Sequence, residues 1–181
     1  MDYNQLIRNW HTRASEEDYF SKYIFEYLAF IGFLKRVKFT NQNSDTGAVR
    51  ELKHDTQSRD LYLESIVTTP ELRGAWQLIK NELDERPLGS VDENTGQVDT
   101  IWYWKCSCKD IREQKEHVCE EQGKIKDIND WENMVEFWHS IRNNLFHGAK
   151  DPQDERDGIL VENGYKTLSP LVEILLADQA R

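Results

Sequence analysis

Residues 131–148, Trp-Glu-Asn-Met-Val-Glu-Phe-Trp-His-Ser-Ile-Arg-Asn-Asn-Leu-Phe-His-Gly, read as a helix with two stripes. At about 100° per residue, Trp131, Met134, Val135, Trp138, Ile141 and Leu145 fall on one apolar stripe. His139, Asn143 and His147 recur every fourth residue along a polar row, with Glu136 and Ser140 beside it. Gly148 can take the left-handed conformation that stops a helix, so His147 is predicted in the last turn. There the helix dipole favours a cationic imidazolium able to donate a proton near neutral pH. Arg142 lies at the border of the two stripes. A permanent cation beside an apolar surface needs a counter-charge, and a phosphate would supply one.

Outward from this helix, other segments carry helical signals. Ser15-Glu16-Glu17-Asp18 offers a cap with acids in the first turn, and apolar residues then occupy nearly every face from Tyr19 to Phe39, as expected of a buried or interfacial helix. Glu26 is the one acid in the middle of that run, placed to pair with Arg142 or to stand exposed. Thr40 to Ser58 reads as a loop, and a short helix is expected around Leu61 to Val67. Thr69-Pro70-Glu71 opens a helix through Leu72, Trp76, Ile79 and Leu83, and Ser169-Pro170 repeats the device before Leu171, Ile174 and Leu175. The total is four to six helices.

Pro87 to Trp104 changes character. Gly89, Asn94-Thr95-Gly96 and the β-favouring run Thr100-Ile101-Trp102-Tyr103-Trp104 predict a small β-hairpin inserted around 87–104. All three cysteines follow with a histidine: Cys106, Cys108, His117 and Cys119. Such ligands suit a tetrahedral structural zinc, whose closed shell would leave no position for catalytic water. Reduced thiols, some buried as small hydrophobes, are the alternative. The neighbouring aromatics either pack or stack on nucleic-acid bases.

At 181 residues, 38% hydrophobic and 31% charged, the chain suits one globular domain with a proper core. No apolar run is long enough to span a bilayer and the N-terminus has no signal-peptide core, so no membrane and a cytoplasmic location are expected. A net charge of −10 runs against general phosphate binding. Contact with a polyanion would need a local basic lining, for which Arg142, Lys150 and Arg156 are candidates; the last two read equally well as solvated loop charges.

Ile141 to His147 resembles the R-x4-6-H signature of the HEPN superfamily, whose usual form has Asn, Asp or His directly after the arginine. Here these are Arg142, Asn143 and, after four intervening residues, His147. Tyr19 to Lys35 resembles the aromatic first helix of that superfamily, and Arg156-Asp157 precedes a last apolar helix. Pro87 to Asp130 is unmatched. The resemblance implies a mostly all-α fold: one HEPN-like bundle over residues 1–181, with an insertion at about 87–130, dimerised so that two motifs share a cleft.

Many members of that superfamily are metal-independent endoribonucleases. Carried onto this chain, His147 would be the general acid or base, Arg142 would stabilise the phosphorane and Asn143 would orient His147 or the phosphate. The RNA 2′-hydroxyl would attack, leaving a 2′,3′-cyclic phosphate, with no cofactor for catalysis. His139, Asn144, Lys150 and Arg156 are the substrate-binding candidates, although His139 also reads as a solvated surface residue, and Glu26 is the candidate supporting acid. A toxin or antiviral effector restrained by an antitoxin or regulatory partner fits the family. Its AMP-silenced toxins carry a tyrosine two residues after the histidine, where this chain has Ala149, so that route of control is not expected. The alternatives are a non-catalytic HEPN-fold module binding RNA or protein and a zinc-stapled interaction subunit. For the motif itself the alternative is that Arg142 is a buried structural ion-pair residue and His147 a helix cap.

Overall fold

Asp18, rather than the expected Ser15, caps the helix around which the other elements gather; the Ser15 hydroxyl donates instead to the Thr12 carbonyl at 2.8 Å. The Asp18 carboxylate accepts the amides of Phe20 and Ser21 at 3.0 and 3.3 Å and the Ser21 hydroxyl at 2.7 Å, which satisfies donors the first turn would otherwise leave orphaned. The computed structural model describes residues 3–15, 18–91, 98–100, 104–105, 121–147 and 150–178. Among them are seven α-helices: α1 (Tyr3–Ala14), α2 (Tyr19–Phe33), α3 (Asp45–His54), α4 (Thr56–Thr68), α5 (Pro70–Glu85), α6 (Trp131–Phe146) and α7 (Glu155–Asp178). The class is thus mostly α, with more helices than the expected four to six. No helix among the described residues is long and apolar enough to cross a membrane.

Helix α2 buries Tyr23, Tyr27, Ala29, Phe30, Ile31 and Phe33, and continues into a π-helical turn, Leu34–Lys38. It packs between α1 and α7. Gly164 of α7 makes the second of these contacts possible, since a Cβ there would lie 2.9 Å from Cε2 of Tyr23. Helix α1, not anticipated from the sequence, inserts Ile7 and Ala14 against this layer.

Two expectations fail for identifiable reasons. Thr40 to Ser58 is largely helical rather than a loop. The Ser44 hydroxyl caps α3 by accepting the Gly47 amide at 3.0 Å, and Asp55 ends α3 and caps α4 by accepting the Ser58 amide at 3.1 Å. Ala48, Val49 and Leu52 then bury one face of an otherwise polar helix, and α4 extends well beyond the short Leu61–Val67 segment. Ser169-Pro170 starts no new helix: α7 runs through Pro170. Proline has no N–H to return to the carbonyl four residues earlier, but Leu168, Leu171, Val172 and Leu175 continue one buried face across it, and packing outweighs the lost bond. The proline-led start expected at Thr69-Pro70-Glu71 does open α5.

The core is an aromatic cluster at the crossing of α2, α4, α5 and α6. Trp138 meets Trp76, Tyr62, Trp131 and Phe30 with ring centroids 5.4–6.3 Å apart, in tilted or edge-on geometry. Polar tips inside it are satisfied. Trp138 Nε1 donates to Thr167 Oγ1 at 3.0 Å, Trp76 Nε1 to Tyr62 Oη at 3.0 Å, Trp131 Nε1 to the Leu52 carbonyl at 3.1 Å and Tyr23 Oη to the Trp138 carbonyl at 2.6 Å. Such bonds remove the desolvation penalty of burying these groups and fix each ring's orientation.

Between α5 and α6, strands β1 (Gly89–Val91) and β2 (Val98–Thr100) pair antiparallel, with Gly89 opposite Thr100 and Val91 opposite Val98. Gly123, at φ +71°, accepts the Leu88 amide at 2.9 Å where a Cβ would strike the Leu88 carbonyl. Cys106, Cys108, His117 and Cys119, the expected zinc ligands, lie outside the described residues, and among the described ones no three metal-ligating side chains converge.

Candidate functional site

Helix α6 presents its last turn at the surface while its first three turns are buried. Trp131, Met134, Val135, Trp138 and Ile141 form the buried apolar stripe, and Leu145 is half-buried. The polar row is not solvated over its first half. Glu136, His139 and Ser140 are buried as well, because α3 packs along this side of α6. Glu136 forms an ion pair with Lys53 of α3.

His139 is therefore not the solvated surface residue weighed from its spacing. Its Nδ1 shares a 2.7 Å hydrogen bond with Tyr27 Oη, and burial lowers its pKa from the usual 6.5, against the pull of Glu136. A neutral interior imidazole has no direct path to a substrate.

Arg142, Asn143 and His147 emerge together at the C-terminal end of α6. Arg142 Nη1 donates to Asn143 Oδ1 at 2.9 Å, and its guanidinium lies 4.5 Å from the Phe146 ring centroid and 5.8 Å from that of Tyr27. Phe146 is 57% exposed, so the cation sits between a buried ring and an exposed one. The nearest carboxylate is that of Asp45, with Oδ2 3.7 Å from Nη2, an ion pair too long for a hydrogen bond. His147 is the C-cap residue, at φ −92° and ψ 9°; its amide donates to the Asn143 carbonyl at 3.0 Å and its side chain is exposed. An arginine, an amide and an imidazole thus share the C-terminal end of one helix, with Arg142 bonded to Asn143 and His147 exposed.

Other candidates are engaged elsewhere. The pairing of Glu26 with Arg142 does not form: fully buried Glu26 binds His11 of α1, with Nδ1 at 2.7 and 3.0 Å from its two carboxylate oxygens. Burial raises the Glu26 pKa against the effect of His11, and the Glu26 bond raises that of His11. Asn144 points inward and donates to the Gly89 carbonyl at 2.8 Å, tying α6 to β1. Lys150 is paired with Asp157, their side chains 5% and 11% exposed, and burial lowers its pKa. Arg156 donates to the carbonyls of Glu82 and Arg86 and lies 3.7 Å from the Glu82 carboxylate, clamping α7 to the end of α5. The basic lining expected from Lys150 and Arg156 is not present, because both cations are consumed by the fold.

Two residues beside the motif escaped the sequence reading. Lys35, in the π-helical turn, donates to Asp45 Oδ1 at 2.8 Å, so Asp45 stands between Lys35 and Arg142. The available signal was the Ser44-Asp45 start of α3: a cap followed by a first-turn acid, with Ala48, Val49 and Leu52 spaced for one buried face. No protein-family model, curated protein or solved structure matches this chain.

Proposed function

We propose that the chain is a metal-independent endoribonuclease of HEPN type, acting in the cytoplasm as a toxin or antiviral effector. One observation carries the reading: Arg142, Asn143 and His147 stand together at the exposed end of α6, and the only hydrogen bond of the guanidinium to a described residue goes to Asn143. The RNA 2′-oxygen attacks the adjacent phosphorus and the P–O5′ bond breaks, giving a 2′,3′-cyclic phosphate and a 5′-hydroxyl. A proton leaves the 2′-oxygen and one reaches the departing 5′-oxygen; His147 serves as general base or acid for one of these transfers and water for the other, a contribution of about 10²–10⁴-fold. Arg142 neutralises the developing phosphorane charge, and Asn143 holds the guanidinium in register. Two chains bring their motifs into one cleft, and an antitoxin or regulatory partner restrains them.

The test is cleavage of total tRNA and of a long single-stranded RNA in excess EDTA by the unmodified chain, Arg142→Ala and His147→Ala. Cutting by the unmodified chain alone, with both variants folded, is the expected result. No cutting, or equal cutting by all three, removes the ribonuclease reading.

A second reading, a non-catalytic HEPN-fold module that binds RNA or protein, draws on another observation. Lys150 and Arg156 are occupied by internal partners, and the chain carries a net charge of −10. That balance disfavours a long polyanion held by many cations, and within this second reading it favours a protein partner over RNA.

A further inference from the structure

Asp45 lies between two cations that come from different elements. Lys35 Nζ donates to its Oδ1 at 2.8 Å, and Arg142 Nη2 stands 3.7 Å from its Oδ2. All three side chains are about one quarter exposed, at 24%, 27% and 30% for Lys35, Asp45 and Arg142, so the cluster is open to solvent on one side. The two cations are held unequally. Lys35 is hydrogen-bonded to the carboxylate, whereas Arg142 is too far for a hydrogen bond and directs only one of its five N–H donors to a described acceptor, Asn143. As placed, the Asp45 carboxylate hydrogen-bonds Lys35 and leaves Arg142 at 3.7 Å. A tetrahedral phosphodiester, with two non-bridging oxygens and acceptor geometry suited to a guanidinium fork, can bridge them.

The exposed Phe146 ring, 4.5 Å from the guanidinium carbon, adds a flat apolar surface next to the charge. An aromatic face beside a phosphate-binding cation is the pairing used to hold single strands, with the base on the ring and the backbone on the cation. A free anion or an acidic side chain would leave that ring unused.

We infer that Lys35 and Arg142 form one clamp for the backbone phosphate of single-stranded RNA, with Asp45 as the internal anion displaced on binding and Phe146 as the platform for the adjacent base. This rests on the ribonuclease reading for the identity of the strand, but it adds residues the R-x4-H motif does not contain. Asp45 weakens binding by competing for both cations and shields them while no strand is present. Lys35 is the second phosphate contact, supplied by the turn that follows α2.

The experiment measures binding of a fluorescent 2′-O-methyl single-stranded oligonucleotide, which lacks the attacking hydroxyl, across a salt series. The proteins are the unmodified chain, Lys35→Ala, Lys35→Gln, Asp45→Asn and Phe146→Ala, each verified as folded by circular dichroism. Both Lys35 variants are expected to weaken binding and lower the slope of log K against log salt by about 0.7, one single-strand phosphate contact. Asp45→Asn is expected to tighten binding by about two- to fivefold, the scale of releasing a partly exposed ion pair. Phe146→Ala is expected to weaken the oligonucleotide about tenfold, and equal affinity in this variant would remove the ring as a base platform. Unaltered affinity and salt slope in the Lys35 and Asp45 variants would overturn the clamp, even if the unmodified chain cleaves RNA. The expected shifts in a chain that cuts nothing would uphold the clamp and remove the ribonuclease.

Discussion

Tyr27 Oη and His139 Nδ1 meet at 2.7 Å in the interior, joining α2 to α6 beneath the guanidinium of Arg142. The contact converts a histidine from the polar row of α6 into a structural group and gives Tyr27 two tasks, holding His139 and backing Arg142. Tyr27→Phe removes the hydroxyl but keeps the ring. It should cost about 1–3 kcal/mol by leaving a buried imidazole nitrogen unpaired, and under the proposed ribonuclease function RNA cleavage by the folded variant should fall far less than in Arg142→Ala. Urea denaturation and single-turnover cleavage read the two effects separately. Unchanged stability would mean the bond is not formed.

The same histidine sets an acid-side dependence. Burial lowers the His139 pKa below 6.5, so the folded chain resists a proton that the unfolded chain accepts. Its contribution to stability is present above 6.5 and is lost as pH falls through the folded value. Thermal unfolding from about pH 7 to about pH 5 should show a shallower decline for His139→Gln than for the unmodified chain. Parallel curves would contradict this.

His11 has the opposite sign. Its bond to Glu26 raises its pKa above 6.5, so its stabilisation is complete below that value and is lost as pH rises through the folded value. Burial raises the Glu26 pKa from 4.5, which again favours the folded state at the lower pH. The advantage in melting temperature of the unmodified chain over His11→Gln should shrink as pH rises from about 6 to about 8. A steeper drop in the variant would refute the assignment.

Lys150→Met should act on stability and not on substrate. It leaves Asp157, 11% exposed, without its cation, and breaking a buried pair in this way costs about 3–5 kcal/mol. Under the proposed ribonuclease function, at a temperature where the variant remains folded its cleavage rate should match that of the unmodified chain. A selective loss of RNA binding with full stability would restore Lys150 to the substrate lining.

The helices at Tyr19, Pro70 and Trp131 were legible because their determinants lie within a few residues of each other: an apolar run or stripe at helical spacing in each, with a local capping side chain before Tyr19 and a proline at the start of α5. Helix α3 was not, because it is ten residues long and mostly polar, and its stability comes from packing Ala48, Val49 and Leu52 against distant elements. The unbroken course of α7 through Pro170 was hidden for a related reason. A proline is a strong local stop, and only the buried face on either side of it decides that the helix continues.

The candidate site divides along the same line. The amino-acid order by itself determined that Arg142, Asn143 and His147 share the end of one helix, since a period of 3.6 residues and a following glycine suffice for that. Tertiary structure alone decided which charges remain available there: Glu26 goes to His11, Lys150 to Asp157 and Arg156 to the end of α5, while Asp45 and Lys35 arrive beside Arg142. Helical spacing relates residues three or four apart, whereas the partner of a charge depends on which surfaces pack together, and Tyr27 and His139 meet across 112 positions of chain.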